Sequence, residues 1–389
     1  MSGCLATWVT EALSFDGGST RLPSKVVFVG GKTGRGKTRF PKESDHAEDF
    51  GWPMGSEGRF SKGLLMSKSS FQVAVTDFTF GDLAVEQAVV EAAGGTLVSG
   101  QCKTEKDLTK LAGGADAVIV QFAPCRQEAI GGLKKAKVIV RYGIGVDNVD
   151  LPFARSKKIP VCNVPDYCWN EVADHTLAMI LGLTRGVVAN AEVCRQGLWK
   201  LGVGLSEMRC LADMQVGVVG FGRIGRGVAA RLNSFGCTVK VYDPLAPETA
   251  IRKAGLSSCS LPALLKSSDL ITLHCPSLES TRGMLDRKAF AAMKEGALLV
   301  NTSRGDLVVT EDLIEALKSK RLAGAALDVT NPEPPPADSP LRSLPNVILH
   351  SHVASASAAA VRRLRETASR LAVDGALGRT LVNVVNLAG

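Results

Sequence analysis

The sequence predicts an α/β protein built of two doubly wound parallel-sheet units with a cleft between them. Short, branched, almost wholly apolar runs of strand length alternate with helical stretches, the pattern of strands buried on both faces of a parallel sheet. The alternation starts twice, at residue 71 and again at residue 215, in a chain of 389 residues. That length lets each unit bury its own core. Apolar residues make up 45% of the chain and charged residues 22%, which excludes the disordered and fibrous classes.

The first unit opens on strands at 71–75 (FQVAV), Ala117–Val120 (AVIV) and 137–141 (KVIVR), with a helix over 83–93. A helix over 171–184 bridges to the second unit. The strands there are 216–219, Thr238–Tyr242, Leu270–Leu273, Ala297–Asn301, 325–328 and Val347–Leu349. The stretch Ala358–Ala376 has helical spacing and can pack back on the first unit. No run reaches the roughly 18 uncharged apolar residues of a membrane-spanning helix, so no membrane partner is expected. The net charge of +8 comes from Lys and Arg spread along the whole chain. Without a basic cluster, a zinc-finger pattern or a recognition helix, it predicts no nucleic-acid partner and suits a small anionic substrate instead. The ten cysteines form no CxxC pair. They read as buried small hydrophobes in a reducing compartment, with the cytoplasm as the expected location and no metal expected.

Residues 1–69 are rich in Gly, Ser, Lys and acids, and only 25–30 (KVVFVG) resembles a strand. They are expected to form a flexible extension, dispensable in a chain that starts at Met66. Glu11, Asp16, Glu43 and Asp45 argue against an organelle-targeting peptide without excluding one. Gly31-Lys32-Thr33-Gly34-Arg35-Gly36-Lys37-Thr38 matches the P-loop pattern. A working P-loop needs a helix beginning at the Lys-Thr pair. Arg39-Phe40-Pro41 and the polar run after it offer no apolar periodicity for one, so the match reads as chance.

The strongest local signal is the strand 216–219 running into Gly220-Phe221-Gly222-Arg223-Ile224-Gly225, with a helical pattern over 227–233. The first glycine permits a tight turn, the second admits a pyrophosphate and the third lets helix and sheet approach. Arg223 and Ile224 carry free N–H groups at the helix start, where phosphate binds. Asp243 ends the next strand, 18 positions after Gly225. A carboxylate there accepts from the adenosine ribose and repels a 2′-phosphate, which predicts NAD over NADP. His274-Cys275-Pro276 follows another strand. His274 and Pro276 are assigned to the nicotinamide side, against a plain strand-end reading of the histidine. Thr302 and Asp328, next to two further strand ends, are assigned to the cofactor as well.

Three polar residues follow strands of the second unit: Arg304 after Ala297–Asn301, Glu333 after 325–328, and His352 after Val347–Leu349. The carboxyl ends of parallel strands lie along one crevice. Interconversion of a 2-oxo acid and a 2-hydroxy acid needs this set. An arginine fork holds the carboxylate and polarises the carbonyl. A histidine delivers or takes the proton, and a carboxylate behind it fixes the tautomer and favours imidazolium.

The chain resembles the D-isomer-specific 2-hydroxyacid dehydrogenases. The resemblance rests on 141–150 (RYGIGVDNVD), 160–166 (PVCNVPD), 171–175 (EVADH), the glycine motif, 273–276, 301–305, 324–329 with Glu333-Pro334, and His352-Val353-Ala354. It covers roughly residues 71–389. It implies two domains of Rossmann or flavodoxin type, one a discontinuous substrate domain at 70–172 plus 354–389 and the other an NAD domain at 173–353. It further implies that Arg304 binds substrate, that His352 is the acid/base with Glu333 as partner, and that the backbone around Tyr142, Gly143, Ile144 and Gly145 caps the substrate carboxylate. A homodimer joined through the NAD domains is implied too.

Two departures stand out. His350-Ser351 replaces the family's usual Thr-Pro, which makes His350 a second candidate acid. Trp169 stands where a small hydroxyl residue is common, and reads equally as part of the pocket mouth or as a cover for the hinge. A second function remains on the same scaffold, a corepressor-like NAD(H)-sensing protein, which the region 141–167 also resembles. Ser355-Ala356-Ser357, in place of that group's tryptophan, and the retention of all three polar residues favour turnover. The substrate stays open between 3-phosphoglycerate and glyoxylate or hydroxypyruvate. The chain ends 37 residues after His352, so no C-terminal regulatory domain is expected.

Overall fold

A computed structural model describes residues 71–386. The extension at 1–69, its strand and its P-loop match therefore lie outside the described residues. The first sheet holds β1 (Gln72–Val75), β2 (Thr96–Ser99), β3 (Ala117–Val120), β4 (Val138–Arg141) and β5 (Val161–Cys162), all parallel, in the order β2-β1-β3-β4-β5. Its crossovers are α1 (Ala84–Ala92), α2 (Glu105–Ala112), α3 (Gln127–Gly132) and α4 (Leu151–Ser156). Local chemistry starts two of them. Thr104 and Asp107 form a capping box on α2, and Asp150 accepts from the Phe153 N–H at 2.9 Å on α4.

Next in the chain come α5 (Trp169–Thr184) and α6 (Val187–Arg195). Neither is long and apolar enough to cross a membrane alone, they bend by 65° at their break, and α5 buries half its residues in the core. The second sheet contains β6 (Gln215–Val219), β7 (Thr238–Tyr242), β8 (Ser257–Ser258), β9 (Leu270–Leu273), β10 (Ala297–Asn301), β11 (Leu322–Leu327) and β12 (Val347–Leu349). Its helices are α7 (Arg223–Ser234), α8 (Glu248–Lys253), α9 (Leu261–Ser267), α10 (Arg287–Ala292) and α11 (Thr310–Lys318). All seven strands are parallel, in the order β12-β11-β10-β9-β6-β7-β8. The order reverses between β6 and β9, the switch point where such sheets bind ligands.

The last helix, α12 (Ala358–Ala376), returns to the first sheet. Ser357 caps it, accepting from the Ala360 N–H at 2.9 Å. Leu364, Ala368, Leu371 and Ala372 then pack with Val73, Ile119 and Val140 in one apolar cluster. A helix from the end of the chain thus completes the core of its beginning.

Register sets the site. Val219 is paired with both Tyr242 and Leu273, and Asn301 with both Leu273 and Leu327. The next residues, Gly220, Asp243, His274, Thr302 and Asp328, therefore leave the sheet along one edge.

Several boundaries move from the sequence expectation. β11 begins at Leu322 and stops before Asp328, whose carboxylate leaves the ladder to hold another turn. Helix α7 begins at Arg223, so Gly225 and Gly227, poor helix formers, sit inside it where close packing needs them. The cysteines are also less uniform than expected. Among the described residues all are free thiols, but Cys194 and Cys210 are exposed and Cys259 and Cys275 half-buried.

Candidate active site

The cleft has a volume of about 700 Å³ and is bordered by both sheets. On one wall the glycine loop forms a cradle. Gly220 has φ +95°, and a Cβ there would stand 2.6 Å from the His274 carbonyl carbon. A Cβ at Gly225 would strike the Gly220 carbonyl oxygen, whereas at Gly222 it would meet nothing within 4 Å. Two glycines are thus required by packing, and the middle one opens onto the cleft. Helix α7 has no side-chain cap at Gly222, so the N–H groups of its first turn are free to meet a phosphate. This cradle fits a dinucleotide.

Asp243 is tied into the loop it serves. One carboxylate oxygen accepts from the Phe221 N–H at 2.6 Å, and the other from Leu245 and Ala246 at 2.8 and 3.1 Å. A carboxylate has about four acceptor positions, so capacity for a ribose hydroxyl remains. Ile224 lines the cleft, and Arg223, also on its wall, ion-pairs with Asp166 across it. His274 and Pro276 border the cleft. The His274 ring turns back to the Thr272 hydroxyl at 2.9 Å, and burial pushes its pKa down to about 3. It is a neutral buttress under the glycine loop. The buried Thr302 shares a 2.9 Å hydrogen bond with Thr176, tying β10 to α5.

Across the cleft His352 Nδ1 lies 2.7 Å from Glu333 Oε1. With Nδ1 engaged, Nε2 is the nitrogen left for a substrate. Burial raises the Glu333 pKa, but the hydrogen bond and charge of His352, with help from Thr330 and Arg304, bring it below the usual carboxylate value. His352 has φ +57°, a left-handed backbone unusual for a side-chain-bearing residue. Asp328 holds it there. The Asp328 carbonyl accepts from the His352 N–H at 2.8 Å, and its two carboxylate oxygens accept from Val353 and Ala354 at 2.8 and 2.9 Å. Asp328 borders the cleft as expected of a cofactor contact, yet its carboxylate serves the turn that aims His352.

Arg304 is presented by a tight turn. The Asn301 side chain donates to the Arg304 carbonyl at 2.8 Å and accepts from the Ser303 N–H at 3.0 Å. The guanidinium is fixed by Asp147 on Nε at 3.0 Å and by the Ser303 carbonyl on Nη1 at 2.8 Å. Nη2 comes so close to Gly145 that a Cβ there would strike it. Gly143, at φ +138°, likewise leaves no room for a Cβ beside the guanidinium of Arg141. Ile144 lines the cleft between them.

Tyr142 borders the cleft with the rest of this loop, but its ring packs inward. Its ring is buried edge-on to Phe80, and its hydroxyl donates to Glu86 at 2.9 Å. The phenol belongs to the core beneath the loop and is not offered to a substrate. Trp169 lies against α7, where a Cβ on Gly227 would stand 3.1 Å from the indole. That contact puts it on the hinge joint.

Arg141 is the residue the sequence analysis overlooked. It borders the cleft at the end of β4, with its Nε buried and without a hydrogen-bond partner. Burial and the positive charge of Arg304 lower its pKa. The criterion that found Arg304, a polar residue at the carboxyl end of a parallel strand, would have found Arg141 as well.

Known proteins resemble this chain over most of the described residues. The family described as D-isomer specific 2-hydroxyacid dehydrogenase, NAD binding domain, matches residues 177–354. A glyoxylate reductase of Korarchaeum cryptofilum is 36% identical over 267 residues, covering 68% of this chain and 80% of its own length. A D-3-phosphoglycerate dehydrogenase of Bacillus subtilis is 34% identical over 274 residues, 70% of this chain; the chain spans 51% of that relative's length. The solved structure of D-lactate dehydrogenase from Aquifex aeolicus, complexed with NAD and lactic acid, matches with TM-score 0.71 at 27% identity, covering 82% of this chain and all of that one. The chain belongs to the D-isomer specific 2-hydroxyacid dehydrogenase family, whose members are NAD-dependent oxidoreductases acting on CH–OH donors.

Proposed function

We propose that this chain interconverts a D-2-hydroxy acid and its 2-oxo acid with Arg304, His352 and Glu333 as its working groups. The observation that carries the proposal is the 2.7 Å His352–Glu333 pair, on the same cleft as Arg304 and the glycine cradle. Bound NAD accepts or donates the hydride. In the reducing direction Arg304 holds the substrate carboxylate through its free Nη2 and polarises the carbonyl. His352 gives the forming alkoxide a proton from Nε2, and in oxidation takes it back. Glu333 keeps Nδ1 protonated and offsets the imidazolium charge. Gly143–Gly145 brings backbone, not the Tyr142 phenol, to the carboxylate. Substrate and cofactor meet between residues 70–172 plus 354–389 on one side and 173–353 on the other, with closure about α5 excluding water.

Within the substrate class, Arg141 favours an acid with a second anionic group. Three arginines border the cleft: Arg304 is ion-paired with Asp147 and Arg223 with Asp166, whereas Arg141 has no direct ion pair among the described residues. A monocarboxylate such as glyoxylate or hydroxypyruvate, held by Arg304, leaves Arg141 without a direct anionic partner. The 3-phosphoglycerate/3-phosphohydroxypyruvate pair brings a phosphate to meet it. The test is a panel of 2-oxo acids assayed with NADH, repeated on Arg141→Leu. Phosphohydroxypyruvate should lead on the wild type and lose its advantage in the variant. An unphosphorylated acid leading on both would overturn this choice of substrate.

We also propose a homodimer through the 173–353 region. Leu198, Trp199, Leu201 and Leu205, between α6 and β6, are exposed, Trp199 to 96%. An apolar cluster of this kind marks an association surface.

A further inference from the structure

The His350 departure has a structural counterpart on the hinge helix. His175 Nε2, on α5, lies 2.8 Å from His350 Nδ1, just past β12, with the rings edge-on at 4.9 Å between centroids. Asp328 Oδ1, just past β11, is 3.9 Å from the same His175 nitrogen. The three ligand atoms, from three different elements, all lie within 4.8 Å of one another.

A neutral histidine pair explains the 2.8 Å contact by itself, with one ring donating to the other. The Asp328 carboxylate, which holds the turn before His352, adds a third donor beside that pair. Asp328 is buried, and Oδ1, which accepts from Val353, also stands beside the two imidazoles. Two imidazoles and a carboxylate are the donor set of borderline divalent ions such as zinc. Tetrahedral ligands about 2.0–2.1 Å from zinc stand roughly 3.3 Å from each other. The histidine nitrogens, 2.8 Å apart, need to open, which a turn of the His350 ring supplies, and the carboxylate oxygen, 3.9 Å from His175, needs to close. His350 is exposed and free to turn. A fourth position remains for water.

We propose that His175, His350 and Asp328 form a binding site for a first-row divalent cation of the zinc type, which no motif spacing in the sequence announces and which runs against the expectation of no metal. The ion would tie the hinge helix to the segment that carries His352, because His350 and Asp328 flank the same turn. It would act beside the catalytic groups and not as one of them, since His352 and Glu333 already pair with each other.

The test titrates the full-length protein with Zn²⁺ against a chromogenic chelator and follows thermal unfolding in parallel. Wild type should bind one equivalent and melt at a higher temperature with zinc. His350→Thr, the residue its relatives commonly carry, should lose more affinity than the roughly 10–100-fold that follows loss of an outer-shell partner, and should lose the thermal shift. His175→Gln should do the same, and NADH binding without zinc reports that each variant is folded. Cobalt(II) should give the visible bands of a tetrahedral site without near-ultraviolet thiolate absorption. Undiminished zinc binding in His350→Thr, thiolate absorption from the exposed Cys194 or Cys210, or no stoichiometric binding by wild type would overturn the site.

Discussion

His352 holds a left-handed backbone that costs a side-chain-bearing residue about 1–3 kcal/mol. Three hydrogen bonds to Asp328 over-determine the turn, so the imidazole arrives aimed. Glu333 then fixes Nδ1, and Asp147 does the corresponding work for Arg304 by holding Nε. These second partners make two predictions specific. Arg304→Lys keeps a charge but cannot hold Asp147 and Ser303 and still present a third nitrogen to substrate on one planar group. KM for the 2-oxo acid should rise at least tenfold by about 1.4 kcal/mol or more of lost binding, and turnover should fall with it. An unchanged KM in steady-state assays would remove Arg304 from the substrate. Because the Glu333 pKa lies below normal, its carboxylate stays charged as pH falls through the ordinary range and is lost only below it. Glu333→Gln should leave measurable activity but lower turnover, since the imidazole loses the partner that fixes Nδ1. Turnover that coincides with wild type in steady-state assays would show that the pair does not position the proton. Arg304, Glu333 and His352 were legible in the sequence because each follows an apolar strand. The roles of Asp147 and Asp328 were not, because a carboxylate bonded to backbone or to a distant arginine leaves no local pattern.

At the scale of elements, the β6–α7 turn and the ends of β7 and β9 form one assembly. The glycine motif and Asp243 could be read in the sequence, since turn and ligand chemistry demand those residue types at that spacing. The loop's reliance on Asp243 through the Phe221 N–H was invisible. Short edge strands such as β2, β5 and β8 also escaped, because two to four residues carry too little periodicity. Asp243→Ser should therefore raise KM for NADH by roughly tenfold, the equivalent of a lost charged hydrogen bond of about 1.5 kcal/mol, while use of NADPH improves relative to NADH. Initial rates with both cofactors would check it, and an unchanged ratio would contradict the assignment. His274 gives a separate pH prediction. Its folded pKa of about 3 lies below the ordinary 6.5. The native ring stays neutral where the unfolded one takes a proton, so its contribution is whole above 6.5 and is lost as pH falls from there toward 3. His274→Asn should show a smaller drop in its denaturation midpoint between about pH 7 and about pH 4 than wild type does. Equal drops would contradict a ring held neutral in the fold.

For the whole molecule, the returning α12 and the hinge helix α5 make the first sheet and the second sheet parts of one cleft. The alternation of strands and helices predicted both sheets, and helical spacing predicted α12 to the residue. Composition alone gave no sign that Arg141, Arg304 and His352 would share that cleft, since their meeting depends on parallel register across two sheets. If the exposed cluster around Trp199 is an association surface, light scattering should give twice the chain mass, and Trp199→Lys should shift it toward one. A wild-type monomer at micromolar concentration would contradict the dimer. The central claim is proton delivery by His352 during reduction of a 2-oxo acid, and it is tested most directly by comparing NADH oxidation by wild type and His352→Gln, with NADH affinity measured separately by fluorescence. Turnover should fall by about 10²–10⁴ while the affinity for NADH is kept. Near wild-type turnover in the variant would show that the proton comes from elsewhere, with His350 the first group to examine, and the mechanism drawn from this cleft would be wrong.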